Sequence, residues 1–353
     1  KNIDVKSFYF SYYRHCEPQE IVNTLERIWE VHTETKWPTP YNSVSCEQRL
    51  FSFLKGFIRS PFVLTDFEKE IQFREALALV YGKLVPQPQS PRQSVHELRE
   101  ILSSTKQERR NASVNQLCDL NSLLGQDSDS GSIISFAPNE LDVDAIVSQI
   151  VLINADLYKQ LQIAELLDLR YQKDKKFAVT LNKVHEFSNK IYLLVPTTVL
   201  RSNDLSVQRE TLKKWIVIAE KLFNLKDYNS VVQLINGITE SSVMRLQHLK
   251  SCLSSKWIER FEKLKETFDP SGSFAKYRKL PTDAPCIPFV GVALKDLVFA
   301  CEANSDRTED GNGINFQKMR MIAEIINSLK VEQANQIDYS FLDFDPSIAQ
   351  SIL

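Results

Sequence analysis

The sequence predicts an all-α fold, in which helices make up most of the chain. Only 9 of the 353 residues are glycine, and most long segments space their apolar residues by three and four rather than by two. Prolines stand at the breaks between these segments, where a residue without a backbone N–H commonly ends a helix. The length exceeds that of one ordinary domain, so we expect two helical domains joined by a linker.

Residues 1–90 are predicted to form the smaller, N-terminal helical domain. Its first helix begins near Pro18, which suits a first helical turn, and places Ile21 and Leu25 on one face. A second helix is expected at 48–58 and a third at 67–84, each ended by a proline that follows it.

Residues 91–140 are typical of a linker that is disordered in part, because they contain the polar run at 126–132 and few large apolar side chains. Helical spacing resumes at residue 141 and continues to residue 353. Breaks are predicted near Pro196 and at three polar or proline-containing stretches, which are 269–272, 281–288 and 305–313.

The composition favours a protein partner over nucleic acid. Lysine and arginine number 43 against 45 aspartates and glutamates, a net charge of -2, so the basic excess typical of nucleic-acid binding is absent. The six cysteines are scattered and form no C-x-x-C pair, as expected of reduced thiols in a cytoplasmic protein. We expect no cofactor, no metal and no direct membrane insertion, with recruitment to membranes through partners or through segments outside this stretch.

The sequence contains no motif for bond-making chemistry. Phosphate-binding glycine loops, the H-E-x-x-H zinc helix and the G-x-S-x-G elbow are all absent. The five histidines are far apart, and no motif links one of them to a nucleophile. We therefore expect a protein that acts by binding rather than an enzyme that makes or breaks covalent bonds.

Four blocks of sequence follow one another in the second domain. The first, at 227–246, contains Asp-Tyr-Asn-Ser and Ile-Asn-Gly-Ile, and the second, at 269–292, ends in Pro-Cys-Ile-Pro-Phe-Val-Gly-Val. The third and fourth lie at 294–304 and 314–325. In this order the blocks resemble the catalytic domain of Ras guanine nucleotide exchange factors, and the N-terminal domain is similar to the Ras exchanger motif module.

The resemblance implies a helical module like the Ras exchanger motif at 1–90, a linker at 91–140 and a multi-helical Ras-GEF catalytic domain at 141–353. It also implies that residues 288–304 are one arm of a protruding helical hairpin. Val298 and Glu302 are four apart and share one face of that arm. At their positions the family places an apolar group that crowds the magnesium site and a carboxylate that competes with nucleotide phosphate.

The implied partner is a Ras-family small GTPase, such as Ras, Rap or a relative, from which the protein releases GDP so that GTP can bind. Resemblance assigns GTPase contacts to five further residues, which are Phe289, Phe274, Val232, Thr239 and Leu294. It leaves open a second GTPase contact with the N-terminal module.

Two departures from the family pattern keep an alternative function open. Thr239 stands where the family usually has Asn, and its hydroxyl cannot make the two-sided hydrogen bonds of an amide. Val298 is smaller than the Leu of some members. The alternative is a catalytically inactive scaffold that binds a GTPase through the same fold.

Overall fold

The computed structural model describes residues 137–173, 176, 178–246, 253–311, 313–329 and 337–353, together with residues 20, 21, 23–25, 27 and 53. Within these residues the regular structure is helical, with two isolated β-bridges and no strand, which confirms the all-α class. Residues 20, 21, 23–25, 27 and 53 are helical, and Ile21 and Leu25 are buried. The rest of the three predicted N-terminal helices and the linker up to residue 136 lie outside the described residues.

The described residues form two compact units. The first comprises Leu166–Arg170, Leu297–Ile325 and the described residues up to Phe53. The second comprises the remaining described residues between 137 and 296, together with those between 326 and 353.

Helices occupy most of the range from 143 to 353 that the structure describes. In chain order they are α1 (Val143–Gln160), α2 (Ile163–Leu166), α3 (Arg170–Lys173), α4 (Val179–Leu200), α5 (Leu205–Asn224), α6 (Tyr228–Ile238), α7 (Ser241–Met244), α8 (Ser255–Thr267), α9 (Val290–Glu302), α10 (Phe316–Ser328) and α11 (Pro346–Ile352). An aspartate starts several of them by accepting hydrogen bonds from first-turn N–H groups, as Asp142, Asp204 and Asp345 do.

The core of the second unit lies where α4 packs against α5 and α6, with α1 packed across all three. Trp215 of α5 is fully buried there. Its indole N–H donates to Thr198 Oγ1 at 2.8 Å, so the one polar group of this large side chain is satisfied inside the core. Among the described residues, none of the helices has the length and hydropathy needed to cross a membrane.

The predicted break near Pro196 is wrong, because α4 continues through that residue to Leu200. Proline has no N–H to donate to the carbonyl of Tyr192, one turn earlier. Gly237 of α6 lies against that carbonyl: a Cβ at position 237 would be 2.6 Å from Tyr192 O and 2.8 Å from Val195 Cβ. α4 and α6 therefore pack closely in the turn of α4 that precedes the proline. The other three predicted breaks lie outside the α-helices.

A buried polar cluster holds the start of α6. Asp227 is fully buried, and its Oδ1 accepts from Ser230 N at 3.0 Å and from Asn154 Nδ2 at 2.7 Å. Asp227 Oδ2 and Asn154 Oδ1 are buried without a hydrogen-bond partner in the described part of the chain. Burial raises the pKa of Asp227 from 3.8 to about 7, against the lowering effect of these hydrogen bonds.

Replacing Gly237 by Ala is expected to destabilise the protein by about 1–3 kcal/mol, because the new methyl group must push α6 away from the backbone of α4. Alanine has a higher helix propensity than glycine, so helix propensity alone would make the variant more stable than the native chain. Urea unfolding of Gly237→Ala checks this, with the exposed neighbour Asn236→Ala as control. An unchanged midpoint in Gly237→Ala would contradict the close packing.

The raised pKa of Asp227 predicts a pH dependence of stability. A carboxyl group with a higher pKa in the folded state binds its proton more tightly there, so its contribution to stability falls as pH rises from about 4 to about 7 and is constant above that. The change is on the order of 4 kcal/mol.

Asp227→Asn removes this titration. We therefore expect the free energy of unfolding of the variant, relative to the native chain, to rise between pH 4 and pH 7. The surface variant Asp343→Asn is the control. If the difference in free energy of unfolding between Asp227→Asn and the native chain is constant across this range, the prediction is wrong. Asp227 would then have the same pKa in the folded and unfolded states.

Candidate functional site

Backbone pairing joins the start of α6 to the segment that leads into α9, both in the second unit. Tyr228 N donates to Ile287 O and Ile287 N donates to Lys226 O, each at 3.0 Å. The Tyr228 hydroxyl also donates to Pro281 O at 3.0 Å. The first and second sequence blocks therefore meet at this junction.

The turn between α8 and α9 is bound to α9 by side chains. The guanidinium of Arg278 donates from Nη2 to both carboxylate oxygens of Asp296, at 2.9 and 2.7 Å, and from Nε to Ser273 O at 2.7 Å. Phe289 N donates to the hydroxyl of Tyr277 at 2.8 Å. These bonds fix the chain on both sides of Phe274 against the first part of α9.

A row of aromatic rings runs from the core of the second unit to this turn. Its members are Phe223, Tyr228, Phe268, Tyr277, Phe289 and Phe274, with neighbouring centroids 5.7–6.2 Å apart. Tyr228 is buried, whereas Phe289 and Phe274 at the outer end are half-buried. Phe274 has a left-handed backbone, with φ of 61°, and Lys295 Nζ lies 5.7 Å from its ring centroid. The predicted contact residues Phe274 and Phe289 are therefore adjacent.

The other predicted contact residues of the second unit are two buried aliphatic residues and a half-buried threonine. Val232 and Leu294 are buried, with exposed fractions of 6% and 9%. Thr239 is half-buried at the end of α6, and its hydroxyl donates to Ile235 O at 2.8 Å within the same helix. Among the five predicted contact residues, Phe274, Phe289 and Thr239 are thus half-buried, whereas Val232 and Leu294 are buried.

Val298 and Glu302 lie on the last part of α9, in the first unit. Val298 is half-buried, and Glu302 is exposed and is the last residue of the helix. The negative end of the helix dipole disfavours a carboxylate at this position. A nearby cation is therefore expected to stabilise this end of the helix.

Lys318 of α10 supplies that cation. Its side chain is 5% exposed, and Nζ donates to Cys301 O at 2.7 Å, to Asn304 O at 2.6 Å and to Asp306 Oδ1 at 2.8 Å. An ammonium has three N–H groups, so all three are used. Lys318 therefore binds the carbonyl of Cys301 in the last turn of α9 and that of Asn304 just beyond the helix.

Sequence reasoning assigned no role to Lys318, because its partners are two backbone carbonyls and a loop carboxylate. An indirect signal is the Asn three residues before it. Asn315 accepts from Lys318 N at 3.1 Å and donates from Nδ2 to Ser305 O at 2.9 Å. Together Lys318 and Asn315 fix the turn between α9 and α10.

The residues that the structure describes contain no group of three or more His, Cys, Asp or Glu side chains placed to hold a metal ion. Cys286, which is buried, and Cys301, which is half-buried, are not part of a disulfide. The candidate residues are therefore aromatic and aliphatic groups in the second unit, and an aliphatic group and a carboxylate in the first.

Comparison with known proteins shows what this chain is similar to. Residues 145–320 match the RasGEF domain model. The Ras-specific guanine nucleotide-releasing factor 1 of Mus musculus is 29% identical over 59% of this chain and 16% of its own length. Ras guanine nucleotide exchange factors R and Y of Dictyostelium discoideum are 24% identical over 97% of this chain and 32% identical over 56% of it, covering 19% and 13% of those proteins.

This chain spans less than one fifth of the length of each of these three relatives. The matched residues 145–320 include α1 to α9, the candidate residues on and beside α9, and the Lys318 end of α10. Through them the chain belongs to the RasGEF domain family.

Proposed function

We propose that this chain binds a Ras-family small GTPase and promotes release of its GDP, so that GTP can bind in its place. The observation that supports this most strongly is the placement of Val298 and Glu302 at the end of a helix that Lys318 holds at its C-terminus. No covalent step is needed. The protein acts by preferring the nucleotide-free GTPase, so that binding energy offsets the lost nucleotide contacts.

In this proposal α9 and α10 are the two arms of the helical hairpin that opens the nucleotide site. Glu302 is the residue that competes with phosphate: an exposed carboxylate placed near the phosphate-binding loop repels the nucleotide and accepts the loop's hydrogen-bond donors. Val298, one turn earlier, fills the space beside the magnesium ion with an apolar group. Both effects weaken the bound nucleotide.

Phe274 and Phe289 form the proposed docking surface for the GTPase. Their rings are half-buried and lie 6.0 Å apart, so they are held rigid while part of each remains available. Rigid aromatic side chains often dominate the affinity of protein interfaces because little entropy is lost on binding. Val232 and Leu294 lie beneath the surface, where we assign them a supporting role.

The alternative function is an inactive scaffold that binds a GTPase without releasing nucleotide. Thr239 favours it, because the one proton of its hydroxyl is donated to Ile235 O in the same helix. With that bond in place, the Thr239 hydroxyl can accept a hydrogen bond from a partner but cannot donate one. The scaffold and the exchange factor differ in nucleotide release but not in binding.

Three further parts of the proposal concern regions beyond the described site. Residues 1–90 are proposed to form a module like the Ras exchanger motif. The linker at 91–140 is proposed to join this module to the catalytic domain at 141–353. A second GTPase contact, made by the module, is left as an open question. Location in the cytoplasm, with recruitment to membranes by partners or by other segments, also remains a proposal.

The decisive experiment is release of fluorescent GDP from a panel of Ras-family GTPases with excess GTP. We expect the native chain to accelerate release from at least one GTPase, and Glu302→Ala to slow that release about tenfold or more, equivalent to about 1.4 kcal/mol or more. Glu309→Ala, an exposed glutamate of the α9–α10 turn, is the matched control. Binding without accelerated release would favour the scaffold.

Lys318→Met is expected to slow exchange by loosening the end of α9 that carries Glu302. The variant keeps the side-chain length but leaves two carbonyls and the Asp306 carboxylate without their donor, a stability cost of about 1–3 kcal/mol. The exposed Lys256→Met is the control. If Lys318 acts through Glu302, the double variant Lys318→Met/Glu302→Ala exchanges no more slowly than Glu302→Ala alone. Additive losses would contradict this positioning role.

A further inference from the structure

Phe299 of α9 has no role in the site as described so far. Its side chain is 68% exposed, the largest exposed fraction among the large apolar residues that are exposed in the described part of the chain. Scattered exposed apolar residues are common on protein surfaces. Phe299 differs from such residues in its position between Val298 and Glu302.

Helix geometry places these three side chains together. At about 100° per residue, Val298, Glu302 and Phe299 fall within an arc of about 100° on the same side of α9. Leu297 and Ala300 lie on the opposite side and are 1% exposed each. The outward arc therefore combines a large apolar ring, a smaller apolar group and a carboxylate.

We infer that Phe299 is a specificity-determining contact that binds an apolar pocket of the GTPase beside its nucleotide site. The inference rests on the proposed function, because Phe299 is brought to the partner by the same end of α9 that carries Glu302. A surface that Glu302 reaches lies within about one helical turn of the ring. The chain thus presents an exposed apolar ring within about one turn of the carboxylate.

The chemistry of the partner follows from the ring. A GTPase with aliphatic or aromatic side chains opposite Phe299 binds more tightly, because the contact removes apolar surface of both proteins from water. A GTPase with a charged or amide group there would bury that group without a hydrogen-bond partner. Phe299 therefore selects among GTPases by accepting some and disfavouring others.

The contact should act on affinity rather than on the release step. Covering the ring stabilises the initial complex and the nucleotide-free complex alike, and such uniform binding lowers KM without raising kcat. Glu302, which is proposed to act against the phosphates, should affect kcat. The two neighbouring residues are therefore separable by kinetics.

The test compares Phe299→Ala with Phe341→Ala, which removes a ring of nearly equal exposure, 66%, from the C-terminal segment of the second unit. Exchange is followed over a range of concentrations of the GTPase that the native chain activates best. We expect Phe299→Ala to raise KM about tenfold with kcat unchanged, and Phe341→Ala to leave both unchanged. Phe299→Leu, which keeps an apolar side chain, should recover most of the affinity.

A second measurement separates this inference from the proposed function. Affinity for nucleotide-free GTPases is measured across the panel, and Phe299→Ala should reduce the spread of affinities that the native chain shows. If the native chain binds GTPases without exchange, this loss of discrimination still supports the role of Phe299. If Phe299→Ala matches Phe341→Ala in affinity, or lowers kcat at constant KM, the inference is wrong although exchange itself stands. A native chain that binds no GTPase refutes both.

Discussion

The arrangement of the second unit depends on the backbone pairing between residues 226–228 and Ile287. Two mutual hydrogen bonds connect a helix of the core to the segment that leads into α9, so the direction in which α9 starts is set by α6. The aromatic row and the Arg278–Asp296 pair add to this junction from the turn at 269–280. These contacts hold the first turns of α9, up to Asp296, in a defined position within the second unit.

The C-terminal end of α9 needs a positive charge nearby, for a reason separate from this pairing. A helix that ends in a carboxylate opposes its own dipole, and the same carboxylate is the group the proposed mechanism needs. Lys318 resolves the conflict by binding backbone carbonyls and Asp306, all of which lie in the first unit. The ammonium thus compensates the helix end while Glu302 stays exposed and available to a partner.

Much of the fold could be predicted from the sequence, because helical spacing and capping aspartates are local signals. The position of Val298 and Glu302 on one face followed from their spacing alone. The break at Pro196 was predicted wrongly, since a local rule cannot include the packing of Gly237 against α4. Lys318 was missed because its partners are carbonyls that every residue carries, and the burial of Val232 depends on tertiary packing.

Gly237 packs against Tyr192 O and Val195, just before Pro196, and this makes substitution at positions 196 and 237 unequal. At position 196 a residue with an N–H would restore a helical bond to the Tyr192 carbonyl, so related sequences can lose the proline at little cost. At position 237 any side chain meets backbone, which cannot rotate away. Homologues should therefore vary freely at the first position while glycine persists at the second, and a library randomised at both would recover that asymmetry.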